Sequence, residues 1–113
     1  MAKNKKDTAK TFSERVVELA LSIPKGRVTT YGRIAIAAGG GQLASQSITN
    51  ILWKAYQGGV KNIPWHRIVY ADGKVWLDND HRKKRLALYK KEKIELDTDG
   101  RIKNFRDLLW EFK

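Results

Sequence analysis

A mainly α-helical domain carrying one small β-hairpin is the fold class this sequence predicts. Apolar residues recur at helical spacing in two separate stretches, Phe12 to Ile23 and Ile48 to Ala55. Each stretch is closed by a breaker, Pro24 in the first case and Gly58-Gly59 in the second. Ile68-Val69-Tyr70 and Val75-Trp76-Leu77 flank Asp72-Gly73, which is the pattern of a hairpin. A chain of 113 residues suits one domain with a modest core, and 42% hydrophobic content is ordinary for a globular protein.

Met1 to Lys10 holds four lysines and little apolar mass, so residues 1–10 are expected to be a basic, disordered tail. One folded domain is expected over 11–113. Thr11-Phe12-Ser13-Glu14 reads as a capping box. Phe12, Val16, Leu19, Ala20 and Ile23 then form one apolar stripe, and Lys25-Gly26 makes the turn after Pro24. Thr30 can cap a short helix from Tyr31 to Ala38, stopped by Gly39-Gly40-Gly41. A second helix is expected from about Ala44 to Tyr56. Ile48, Ile51, Leu52 and Ala55 share its inner face, while Gln46, Thr49, Asn50 and Trp53 lie on the other. Two short helices joined by a glycine turn, the second with a polar face, suit a helix-turn-helix, and the hairpin makes it winged. Gln57 to Ile63 reads as a loop. Asn79 or Asp80 is placed to cap a basic helix reaching about Lys91. Phe105, Leu108, Leu109 and Phe112 set the spacing of a last helix. The sequence shows no internal repeat.

Charge narrows the partners. Lys plus Arg number 23 against 12 acidic residues, a net charge of +11, which is the electrostatic footprint of a polyanion ligand. Nucleic acid comes first among these, ahead of an acidic membrane surface. No apolar run approaches membrane-spanning length, and no hydrophobic signal region follows the N-terminal lysines. The absence of cysteine excludes disulfides, thiolate zinc sites and thiol catalysis together. Two histidines are too few for a metal site built of histidine alone, so no metal and no cofactor is expected.

Ile63-Pro64-Trp65-His66-Arg67 resembles the Pro-Cys-His-Arg active-site motif of the O6-alkylguanine-DNA alkyltransferases, with Trp65 where those enzymes carry their nucleophile. Ile23-Pro24-Lys25-Gly26-Arg27-Val28-Thr29-Thr30-Tyr31-Gly32 is similar to the segment opening their DNA-binding part. Ile34 to Gly39 with Ala44 to Leu52 resembles their helix-turn-helix, and Lys83 to Glu92 the helix after the active-site motif. Asp99-Gly100-Arg101 and the aromatic tail look like the ending of the alkyltransferase-like branch, which binds alkylated DNA without repairing it. The resemblance runs over roughly residues 10 to 113, in order. It implies the alkyltransferase C-terminal domain fold and a receptor without chemistry. A thiolate attacks because sulfur is polarisable and easily ionised, whereas an indole nitrogen only donates a hydrogen bond. The expected function is a non-enzymatic sensor that binds duplex DNA bearing O6-alkylguanine through the minor groove. It would flip the modified base into a pocket, bend the DNA and flag it for nucleotide excision repair, whose proteins become the expected partners. No membrane partner is expected, and the protein should act as a monomer. It should reside in the cytoplasm on the nucleoid in a prokaryote, or in the nucleus in a eukaryote. The alternative is a sequence-specific helix-turn-helix regulator.

The resemblance also implies residue roles. Thr29, Thr30, Tyr31 and Arg33 open the DNA-binding segment. Tyr31 matches the tyrosine that pushes on the phosphate beside the target nucleotide. Ser45, Gln46, Ser47, Asn50 and Lys54 lie along the expected recognition helix. Family members place an arginine there to fill the gap left by the rotated base; Gln46 aligns with it, and Ser45 is the other choice. Glutamine can hydrogen-bond the orphaned base but lacks the planar cation. Tyr31, Pro64, Trp65, His66, Arg67, Tyr70, Val75 and Trp76 are the expected lesion pocket, with Trp76 alternatively a core residue. Trp65 would either wall the pocket or plug it. His66 and Glu92 match the enzymes' proton-relay pair, which without a thiol becomes a structural hydrogen-bond network. Arg67 is expected to tie the motif to carbonyls or to a carboxylate.

Overall fold

The computed structural model describes residues 10–77 and 79–112. The tail expected at residues 1–10 lies, apart from Lys10, outside them.

Helix α1, Phe12–Leu21, starts at the expected capping box. Thr11 Oγ1 accepts from Glu14 N at 3.1 Å, and Glu14 Oε1 accepts from Thr11 N at 2.9 Å. Strand β1, Thr29–Thr30, leads straight into α2, Tyr31–Ala37, whose N-cap Thr30 accepts from Arg33 N at 3.1 Å. At the glycine turn, Gly39 takes φ +96. A Cβ on Gly40 would stand 2.7 Å from the Phe12 ring and 2.8 Å from Ala44 Cβ. The turn is therefore glycine for conformation at one residue and for space at the next.

The second helix differs from the continuous one expected from Ala44. A 3-10 turn occupies Gln42–Ser47, and helix α3 proper is Ile48–Gln57. Ser47 Oγ bonds back to Ala44 O at 2.8 Å, and no side-chain cap closes either segment's start. A tight turn carries the chain into α3 without a cap to nucleate regular helix.

Two apolar clusters form the core. Val16, Ala20, Ile34, Ile48 and Leu52 join α1, α2 and α3 in the first, and Val28, Val69, Tyr89 and Ile102 anchor the second. Strand β2, Ile68–Val69, runs parallel to β1 with Thr29 opposite Ile68 and Thr30 opposite Val69. Ile68 faces the first cluster and Val69 the second, the two-residue alternation of a strand. This short pair forms the boundary between the clusters.

Three sequence expectations are corrected. The hairpin is replaced by this parallel pair. The turn exists, since Tyr70 N donates to Lys74 O at 3.0 Å, but Val75 N then bonds Gly100 O at 3.0 Å and Lys74 pairs with Arg101. Burial of Val75 in the second cluster draws the returning chain away from Tyr70. Helix α4, Arg82–Lys91, has His81 rather than Asn79 or Asp80 at its N-cap position. The last helix, α5, is only Phe105–Leu108. Leu109 bridges to Val28 and Trp110 N donates to Val28 O at 2.7 Å, so the chain becomes an added strand edge. Arg27 locks this edge through Leu108 O and Leu109 O, both at 3.0 Å.

Candidate nucleic-acid interface

The motif expected to carry function forms a 3-10 turn, Trp65–Arg67, directly before β2. Its neighbours Ile63 and Pro64 are buried, which fixes the turn against the first cluster. Below it lies a closed polar network. His66 Nε2 is 2.6 Å from Glu92 Oε2, and Arg67 Nη2 donates to the same oxygen at 2.7 Å. Gly26 N donates to Glu92 Oε1 at 2.9 Å, and Arg67 Nη1 reaches Ile23 O at 2.8 Å. One carboxylate at the end of α4 thus ties the motif to the turn after α1. The pairing expected of His66 with Glu92 is present, and Arg67 has both a carbonyl and a carboxylate.

The electrostatics of this network are settled by hydrogen bonding. Burial pushes the Glu92 carboxyl upward, but donation from Arg67, the Gly26 N–H and His66 outweighs it and holds the group at about 2. Burial lowers His66 below its ordinary value, against the opposing pull of Glu92. Neutral His66 facing an ionised carboxylate must carry its proton on Nε2, because Glu92 can only accept. The ring also packs edge-on against Tyr89, 5.8 Å between centroids.

Above the network, half-buried Trp65 lines a cavity of about 550 Å³ with Tyr31, Trp53, Tyr56, Trp76 and Arg85. Tyr31 stands at the start of α2, where its phenol meets Thr49 of α3 and its ring lies 5.8 Å from that of Tyr70. Burial raises the Tyr31 phenol, partly opposed by the Thr49 hydrogen bond, so it stays protonated. Trp76 is 48% exposed, which settles it at the cavity rather than in the core. Arg85 of α4 lies over the Trp76 ring at 5.3 Å. Trp53 and Tyr56 stack at 5.5 Å on the outer face of α3.

The remaining expected residues divide. Gln46 and Ser47 are exposed in the 3-10 turn, and Ser45 is half-buried beside them. Asn50, Lys54 and Ser47 line a separate groove of about 790 Å³ against Val17 and Leu21 of α1, which neither Tyr31 nor Trp65 reaches. Arg33 is held by both Glu111 oxygens at 2.9 Å. Thr29 is fully buried, and the Thr30 hydroxyl is engaged in capping α2. Val75, expected in the pocket, is a core residue at 6% exposure, buried in the second cluster with Tyr89 and Ile102.

Sequence reasoning missed Trp53, Tyr56, Lys84 and Arg85 as cavity residues. A signal existed for the aromatics, since Trp53 and Tyr56 sit three apart on the face of α3 that the core leaves free. Arg85 shares the inward face of α4 with Leu88 and Tyr89 at the i+3 and i+4 positions, which a reading of the run as uniformly basic conceals.

Residues 11–94 match the family described as the 6-O-methylguanine DNA methyltransferase DNA-binding domain. The DNA base-flipping protein of Escherichia coli strain K12 is 34% identical over 93 residues, covering 81% of this chain and 69% of that protein. The DNA base-flipping protein of Vibrio parahaemolyticus is 33% identical over 94 residues, covering 80% and 88% respectively. The structure of S. pombe Atl1 in complex with damaged DNA containing O6-carboxymethylguanine shares the fold. It superposes with a TM-score of 0.68 over 92% of this chain and 100% of that one, at 21% identity. The Mycobacterium tuberculosis O6-methylguanine methyltransferase superposes at 0.55 over 75% of this chain and 50% of its own, at 27% identity. The expected alkyltransferase domain fold is borne out. By the match across residues 11–94 and the identity to both base-flipping proteins, this chain belongs to the 6-O-methylguanine DNA methyltransferase DNA-binding domain family.

Proposed function

We propose that this chain is a non-enzymatic sensor of O6-alkylguanine in duplex DNA. It approaches the minor groove through its helix-turn-helix, rotates the modified nucleotide out of the stack and holds it beside Trp65. The observation that carries the reading is an aromatic-walled cavity at the alkyltransferase motif of a chain that has no cysteine. The base-flipping names of its relatives, and a neighbour's structure with damaged DNA, support it.

The chemistry follows from the side chains. Trp65 stands where the enzymes' thiolate would be, and an indole can neither ionise nor attack at neutral pH. Alkyl transfer is therefore lost while the receptor is kept. An O6-alkylated guanine cannot donate its N1 hydrogen to cytosine, so extrusion costs less at the lesion than elsewhere. Stacking on an aromatic side chain returns about 1–3 kcal/mol per base. Tyr31, protonated and at the cavity edge, donates to the phosphate of the rotated nucleotide. Exposed Gln46 enters the vacated stack, hydrogen-bonding without the charge of an arginine. The His66–Glu92–Arg67 network holds the Trp65–Arg67 turn in place and moves no proton. The bent complex, formed by one protein molecule, is then the flag read by nucleotide excision repair proteins.

Duplexes differing only in one O6-methylguanine test this directly, with mass spectrometry of the recovered protein. Preferential binding without gain of an alkyl mass is expected. Equal affinity for both duplexes refutes lesion sensing, and an alkylated protein refutes the absence of chemistry. With about five phosphate contacts, log affinity should fall against log salt with a slope of about −4.5.

A further inference from the structure

Arg85 is a half-buried guanidinium with little engagement among the described residues. There it makes one hydrogen bond, from Nη1 to Trp76 O at 3.3 Å, and its Cζ lies over the Trp76 ring at 5.3 Å. A guanidinium carries five N–H donors in a fixed fork suited to a carboxylate or phosphate. Three other arginines are answered by carboxylates, Arg67 by Glu92, Arg33 by Glu111 and Arg101 by Asp72. Arg27 is held by two backbone carbonyls at 3.0 Å, where Arg85 has one at 3.3 Å. Among the described residues no carboxylate pairs with Arg85 or with its neighbour Lys84, and none lines the cavity. Both cations line the 550 Å³ cavity and an adjoining one of about 680 Å³ on the other side of Trp65. The Arg85 charge is felt by Tyr31, His66 and Tyr89, which surround the motif.

We infer that Arg85, assisted by Lys84, is an anion-binding subsite of the cavity that selects O6-guanine adducts ending in a carboxylate. The inference rests on the lesion-sensor reading and names the adduct class that reading leaves open. A neutral alkyl group meets only the aromatic walls. An adduct with a terminal carboxylate meets the same walls and can also take the free fork of Arg85, where limited solvent strengthens the contact. The Trp76 ring holds the guanidinium in place before the ligand arrives, so little side-chain entropy is lost on binding. The same fork could instead take a DNA phosphate, and the experiment separates the two anions.

Three duplexes are compared at fixed salt, one with O6-carboxymethylguanine, one with its neutral carboxamide isostere and one with guanine. The wild-type protein is expected to bind the carboxylate duplex about tenfold more tightly than the carboxamide duplex. Arg85→Gln should shrink that ratio to about twofold or less, and Arg85→Lys should restore part of it. Lys84→Gln, at an exposed position, should reduce the ratio by a smaller factor. Thermal unfolding of each variant confirms that the fold survives. A wild-type ratio near one, with both adducts still preferred over guanine, overturns the subsite and leaves the sensor reading intact. An Arg85→Gln loss shared equally by both adducts also overturns it, assigning Arg85 to phosphate. No preference for either adduct over guanine overturns the sensor reading itself, and the subsite with it.

Discussion

The polar network under the motif, its floor, and the mouth of the aromatic cavity beside it place an arginine in opposite settings. At the floor the charges answer one another: Glu92 accepts from Arg67, His66 and Gly26, and its side chain is 6% exposed. At the mouth Trp53, Tyr56 and Trp76 are exposed, and among the described residues Arg85 makes one hydrogen bond, at 3.3 Å. A saturated network resists change, while an unsaturated surface waits for something to bind. The floor should therefore govern stability, and the mouth should govern ligand discrimination.

The sharpest way to break this division is Glu92→Ala. It would strand the Arg67 guanidinium, whose side chain is 14% exposed, without its counter-charge. A loss of about 3–5 kcal/mol in unfolding free energy is expected from denaturant titration. A change under about 1 kcal/mol would show that the network is not what holds the motif to α1 and α4.

Acid provides the same test without mutation. Glu92 falls from an ordinary 4.5 to about 2 on folding, so its contribution is complete above 4.5 and is lost as pH drops toward about 2. His66 is also lowered, from 6.5, so its contribution likewise holds above that value and fades as pH falls below it. Both signs agree: stability should fall on acidification, beginning below about pH 6.5 and steepening below 4.5. The Glu92 part is on the order of 3 kcal/mol. His66→Asn should remove the shallow upper part of the curve and leave the steep lower part. A flat profile between pH 7 and 4 would contradict the network's protonation state.

The reach of the sequence follows from how local each feature is. The Thr11–Glu14 capping box and the Thr30 cap involve partners three residues apart, and both stand as read. The two faces that α1 and α3 bring to the first cluster were visible in the spacing of Val16, Ala20, Ile48 and Leu52. What spacing could not show was which distant chain a strand would choose. Val75 bonds Gly100 and Trp110 bonds Val28, and in both cases burial against remote residues overrode the local pattern. The His66–Glu92 pair was legible only through family resemblance, since nothing about residues 26 apart announces a contact of 2.6 Å. The open fork of Arg85 was hidden because a run of basic residues reads alike whichever way each side chain points.

At the mouth, Tyr31→Phe and Trp65→Ala sharpen the comparison from the ligand side. Trp65→Ala should reduce preference for lesion over normal duplex by about tenfold or more, since it removes a stacking surface worth about 1–3 kcal/mol. Tyr31→Phe keeps the ring against Tyr70 and removes only the hydroxyl, so a loss of about threefold to tenfold is expected. Lesion preference untouched by both changes would place the flipped base elsewhere.

The smallest expected effect concerns Trp53, which stacks on Tyr56 at the outer edge of the cavity and is 49% exposed. Trp53→Ala should shift unfolding free energy by no more than about 0.5 kcal/mol, because no core contact is lost. Its effect on binding discriminates between two uses of the rim. If the Trp53–Tyr56 stack is part of the wall, adducts large enough to reach it lose affinity, while O6-methylguanine is held as before. If the stack only steadies α3, all duplexes weaken together. Comparing a methyl with a benzyl adduct on this one variant tells the two apart, and a selective loss of the benzyl duplex of about threefold would extend the receptor from Trp65 to the outer face of α3.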